Sequence, residues 1–212
     1  MQPNLELPRE LIEHVLNYWF ADLSDESAIS MEHPHCKIWY VKDKEVDIEI
    51  RSLFYGSYHK YEGMTHFAPP DGKAALAVVL LFDQFPHHMF RGTKKMYAAA
   101  ETALEVSKYA LDKEYDLQLS LIQRLFLYVP LMHSEVLQDQ EDMLKLFENL
   151  SKQAKTKATK SVEFFEMAYS YYAKKHYDIV ARFGRFPHRN ELLGRRSTKE
   201  ELEFLEVDES NF

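Results

Sequence analysis

Residues 162–184 read VEFFEMAYSYYAKKHYDIVARFG, and in them Phe165, Tyr169, Tyr172, His176, Ile179 and Phe183 step by 4, 3, 4, 3 and 4. That interval holds six side chains on one face of a helix, so the stretch predicts a helix whose buried seam carries an imidazole, His176. Gly184 is placed to end it, and Pro187 cannot continue it. The rings at Phe165, Tyr169 and Tyr172 are core by default, because aromatic stripes at helical spacing bury apolar area. Six glycines in 212 residues argue against hairpin-rich β architecture and against a Gly-rich nucleotide loop.

Outward from this stretch the same period recurs. Leu11, Ile12, Val15, Leu16 and Trp19 follow Pro8 and predict a helix over about 8–20. Residues 22–36 lack periodicity and read as an irregular loop, with Trp39 pinning its far end. Val46, Ile50, Leu53 and Phe54 predict a helix from Asp43 to near Gly56. Asp71 is an N-cap for a helix from Ala74 to Phe85, apolar almost all round, which stops at Pro86. Thr93–Leu111 and Tyr115–Tyr128 predict two more, and a further helix restarts at Pro130 with Met143, Leu144, Phe147 and Leu150 as its stripe. Residues 185–196 read as an ordered loop. Thr198 with Glu201 is a capping box for a last helix through Leu205. The expectation is an all-α fold of seven or eight helices in antiparallel pairs. It is one domain over 1–212, with a soft subdivision near the lysine-rich 152–160.

The lone Cys36 excludes an intrachain disulfide, and the longest apolar run, 74–82, is too short to cross a bilayer. A cytoplasmic, membrane-free protein is expected. A net charge of −8 disfavours general nucleic-acid binding. Local charge differs. Arg182, Arg185, Arg189, Arg195 and Arg196 stand against one acid, Glu191, between 182 and 196, although the chain has only nine arginines against seventeen lysines. Selective arginine points to planar recognition of carboxylate or phosphate. The bland alternative is that these arginines clasp the C-terminal loop onto the bundle through Asp83, Glu135 or Asp139.

His188-Arg189-Asn190 follows a proline in a loop, where side chains can be aimed at a ligand. His133, close after Pro130, is expected in or beside the first turn of a helix, where N–H groups and the dipole attract anions. His133 and Glu135 are two apart and face different ways on a helix, so they are not a shared ligand pair. A metal site would need His133, His176 and His188 with Glu135 or Asp83, and no spacing fixes them together; no metal ligand and no cofactor is assigned. For His176 alone, a core histidine bonded to a carbonyl or carboxylate is the plainer reading. One local echo stands out: Asp83-Gln84-Phe85-Pro86-His87-His88 and Gly184-Arg185-Phe186-Pro187-His188-Arg189 both put Phe-Pro-His just after an apolar helix.

At these motifs the chain resembles a mainly bacterial family, domain of unknown function 924, from Val15-Leu16-Asn17-Tyr18-Trp19-Phe20 to Leu205. The likeness is most specific at 80–92, 126–140 and 176–205, and above all at Phe183–Asn190 and Leu193-Gly194-Arg195. It implies a tetratricopeptide-like helical fold and no established activity. By resemblance the site positions are Asp83, Gln84, Arg91, His133, Glu135, Gln140, His176, Arg182, Arg185, His188, Arg189, Asn190 and Arg195. One departure matters: the family has Arg-Asn after the first Phe-Pro, where this chain has His87-His88, a titratable group in place of a fixed cation.

Three functional expectations follow. The first is a cleft that binds a small anionic molecule or the carboxylate end of a peptide. The second is an enzyme with His133 or His188 as general acid–base and Glu135 orienting the imidazole, with or without a metal. The third is a purely architectural polar network or subunit contact. The sequence does not fix the oligomeric state.

Overall fold

Asp71 accepts a hydrogen bond from the Ala74 N–H at 2.8 Å, and this N-cap starts the helix at the centre of the molecule. In the computed structural model, which describes residues 6–64 and 66–206, that helix is α4 (Gly72–Val79), buried at every residue but Lys73. It packs against α1 (Arg9–Phe20), α6 (Ala100–Asp112) and α7 (Leu121–His133). Gly72 permits the contact with the turn before α7: a Cβ there would lie 2.3 Å from the Tyr115 carbonyl oxygen. The short α2 (Pro34–Tyr40) begins in the last residues of the segment expected to be irregular and runs past it, and the Trp39 indole pins it by donating to the Trp19 carbonyl at 3.0 Å. Next, α3 (Lys44–Tyr61) runs through Gly56 to Tyr61, one turn past the expected stop. Nothing about Gly56 demands a turn, since its φ is not positive.

The chain does not stop at Pro86. After α4 it passes through a π-helical segment, Leu80–Gln84, straight into α5 (Phe85–Met89), where proline sits in the tolerated first turn. A second π-helical segment, Ala168–Ala173, joins α9 (Val162–Met167) to α10 (Lys174–Phe183), so the periodic stretch is one run with a wide turn inside it. Gly184 ends that run at φ 68°. These wide turns, with 3₁₀ turns at Lys94–Tyr97 and Tyr115–Gln118, divide the chain into more segments than the seven or eight helices expected, although the fold is all-α.

The correction with most consequence is at Pro130. It does not restart a helix but lies inside α7, near the C-terminal end, and His133 is the last residue of α7 rather than the first turn of the next helix. The backbone there offers carbonyls, not N–H groups, so the local dipole attracts cations. Three residues later α8 (Leu137–Lys157) turns back against α7. Buried Gln140 ties the junction: its side-chain amide donates to the carbonyls of Met132 and Ser134, both at 2.7 Å, and of Leu131 at 3.3 Å. After Gly184 the segment expected as a loop holds a 3₁₀ turn, Pro187–Arg189, and α11 (Asn190–Leu193). The capping box then starts α12 (Lys199–Leu205), with the Glu201 N–H on Thr198 Oγ1 and the Thr198 N–H on Glu201 Oε2. No helix among the described residues is long and apolar enough to cross a membrane.

Candidate functional site

Each π-helical segment delivers a polar residue to one place. Asp83 lies in the first, only 2% exposed, and His176 follows the second by three residues. Wide turns of this kind recur at functional positions because they rotate side chains off the helix's regular register. Asp83 Oδ1 meets His133 Nδ1 at 2.8 Å, and the Gln84 amide donates to the other carboxylate oxygen. The His87 ring stands 5.0 Å from that of His133, nearly perpendicular; the His176 ring is 6.2 Å from His133 on another side. His176 Nδ1 donates to the Tyr172 carbonyl at 2.8 Å. Phe186 links this group to the tail, its ring 5.6 Å from both His176 and His188.

Arg189 closes the group. Its guanidinium lies between the rings of Phe186, at 4.3 Å, and Tyr97, at 4.9 Å, and Nη1 donates to the His133 carbonyl at 2.8 Å. Two arginines are buried among the described residues. Arg124 has Asp116 at 3.3 Å, but Arg189, 8% exposed, has no carboxylate within ion-pair distance, and its Nε has no partner.

Burial controls the ionisation of the group. It pushes His87 and His176 down to about 3, with the neighbouring His133 acting in the same direction. Burial, then the charge of Arg189, pushes His188 down to about 4. All three are neutral at pH 7. Burial alone would raise Asp83, but the attraction and hydrogen bond of His133 outweigh it and hold the carboxyl below its ordinary value. The departure at position 87 therefore leaves a neutral ring, not a cation, beside Asp83. His133 keeps 18% of its side chain exposed, and the rims at His87, Glu135 and His188 are half-buried, so solvent reaches the cluster.

The remaining arginines of the tail have acids of their own. Arg195 holds Glu135 with both Nη atoms, at 2.6 and 2.9 Å, while the same carboxylate accepts the Phe186 N–H at 2.9 Å. Burial would raise Glu135, and these donors hold it low instead. Arg185 makes a two-pronged contact with Glu201, at 2.6 and 2.8 Å, and Asn190 donates to Ser197 and to that glutamate. Arg182 pairs with Glu200 on the surface. Arg91 and His88 both bind Asp47, on α3. Asp139 takes Lys108 and Ser134.

Asp83, Gln84, His133, His176, His188 and Arg189 thus converge, with Glu135 and Arg195 beside them. Arg91, Arg182, Arg185 and Asn190 serve other contacts. The residue that orients His133 is Asp83 rather than Glu135, because the C-terminal end of α7 turns the imidazole toward the π-helical segment. Two members were not among the expected site residues. His87 has a legible signal, its spacing of four from Asp83 across a helical stretch; Tyr97 has none, since its place beside Arg189 is set only by the tertiary fold.

Comparison with known proteins agrees with this architecture and adds no activity. A structure titled as a protein of unknown function, ATU0120, from Agrobacterium tumefaciens is similar at a TM-score of 0.69 and 29% identity, over 93% of this chain and 97% of that one. No curated protein matches. The family model described as "Bacterial protein of unknown function" matches residues 15–209, and with that span the chain belongs to the family DUF924.

Proposed function

We propose that the chain binds a small anionic molecule, or the carboxylate end of a peptide, between the 3₁₀ turn Pro187–Arg189, α5 and the end of α7. The observation that carries this is the buried guanidinium of Arg189, which meets no carboxylate at ion-pair distance among the described residues, with Glu135 and Asp83 acting on it only from farther off. A carbonyl at a helix C-terminus and two ring faces compensate part of its charge, since the dipole is worth about half a charge and π faces supply about 2 kcal/mol when desolvated. An incoming carboxylate or phosphate supplies the partner at ion-pair distance that Arg189 lacks, and His87, His176 and His188 beside it are neutral. Binding of this kind suits a tetratricopeptide-like arrangement of helix pairs, whose concave faces take peptides and small ligands.

A thermal-shift screen of phosphorylated metabolites, carboxylates and short peptides tests the reading. A ligand at one hundred times its Kd stabilises the fold by about 2.7 kcal/mol, and Arg189→Met abolishes the shift while Arg185→Ala keeps it. No response from wild type, or a response that survives Arg189→Met, contradicts it.

The Asp83–His133 contact favours a second reading, general acid–base catalysis. A buried carboxylate on Nδ1 fixes the tautomer and leaves Nε2 to exchange a proton with a substrate. On that reading Asp83→Asn removes turnover of a ligand found in the screen without removing its binding.

A further inference from the structure

We propose that Asp83, His87 and His133 form a binding site for a divalent transition-metal ion of the zinc class. The carboxylate and the two imidazoles each offer one donor atom, and the three atoms lie within 4.8 Å of one another. They come from only two elements. Asp83 and His87 are four residues apart on one continuous helical run, which puts both donors on the same face, and His133 arrives from the last turn of α7. Zinc bonds of about 2.0–2.2 Å would require donor separations of roughly 3.3 Å, so the widest gap closes by about 1.5 Å through side-chain rotation; the Asp83–His133 pair, at 2.8 Å, is already that close.

The surroundings favour a cation at this point. Asp83 is buried and has no lysine or arginine within ion-pair distance among the described residues. Among the described residues the His133 imidazole and the Gln84 amide are the groups that hydrogen-bond its carboxylate, so its negative charge lacks a full positive partner in contact. Gln84 holds the second carboxylate oxygen and so fixes the direction of the first, the supporting contact that ligating carboxylates usually have. The donor set selects the class. Two imidazoles with one carboxylate suit zinc, cobalt or ferrous iron, whereas calcium and magnesium require six or more oxygens. Three protein donors also leave a coordination position open. The proposal needs no anion at Arg189 and stands on these donors alone.

The full chain, stripped with chelator and dialysed, is titrated with Co²⁺ while the visible ligand-field band is followed, and zinc is then added as competitor. The expected result is one cobalt per chain, displaced by zinc, with affinity in His87→Gln reduced by roughly 100-fold, the upper end of the loss from even a supporting contact. His35→Gln is the control for incidental binding at the His33–His35 pair, whose rings are 5.4 Å apart. Binding unchanged by His35→Gln and weakened by His87→Gln supports the site. Absence of a band and of retained metal in the wild-type chain overturns it. Binding that persists in His87→Gln also overturns it, whether or not His35→Gln removes it.

Discussion

Arg189 and Arg185 stand four residues apart, carry the same group, and do different work. Arg185 is half-buried against Glu201, itself 3% exposed, and its removal leaves that carboxylate with the Thr198 N–H and the Asn190 amide but no cation. Arg185→Ala is therefore expected to lower stability in urea unfolding, by less than the loss of one partner of a fully buried pair, because the arginine is partly solvated. Ligand binding is expected to survive. Arg189→Met keeps the packing between Tyr97 and Phe186 and removes a charge that has no acid at ion-pair distance among the described residues, so its expected effect is on binding, with little loss of stability. The sequence marks all five arginines of 182–196 alike. Which acid each one meets is decided by how the tail docks, and that depends on contacts as distant as Glu135 with Arg195.

At the level of elements, the two π-helical segments and the junction of α7 with α8 build the site. Gln140 is central to that junction because one amide serves three carbonyls that the end of α7 leaves short of donors. Gln140→Leu strands them in a buried place and is expected to cost about 2–3 kcal/mol, measured by thermal or urea unfolding; a change near zero would mean that water replaces the amide. Local signals predicted the elements well where a side chain acts on its own neighbours, as in the Asp71 cap, Gly184 and the Thr198–Glu201 box. They failed at Pro86 and Pro130. A proline denies one N–H, but a wide turn or the rest of the helix can absorb that loss, and neither is visible in a single strand of residues. The true end of α7 reverses the expected dipole at His133 and makes Asp83 its partner, a residue that the family resemblance marks as a site position.

Across the whole molecule, several buried groups resist protonation together. His87 and His176 at about 3 and His188 at about 4 all lie below the ordinary imidazole value, because burial disfavours their charged forms. The unfolded chain therefore takes up protons near pH 6.5 that the folded chain refuses, and stability present above that pH falls as the solution is acidified toward 3–4. The Arg185 contact holds Glu201 at about 2, so its contribution, complete above the ordinary carboxyl range, fades in the same direction at lower pH. Melting temperature is expected to be level above pH 7 and to drop steadily below pH 6.5, with a shallower drop in His176→Gln. A level profile down to pH 5 would contradict the burial of these rings.

The most direct measurement of the central claim is arginine side-chain NMR on the full chain, titrated with inorganic phosphate and with a short peptide bearing a free carboxylate. The Arg189 signal, assigned by its loss in Arg189→Met, is predicted to move and saturate with at least one probe, while Arg185 and Arg195, already held by Glu201 and Glu135, stay in place. A titration in which Arg189 stays fixed with both probes, or in which the exposed arginines drift together without saturation, would contradict it.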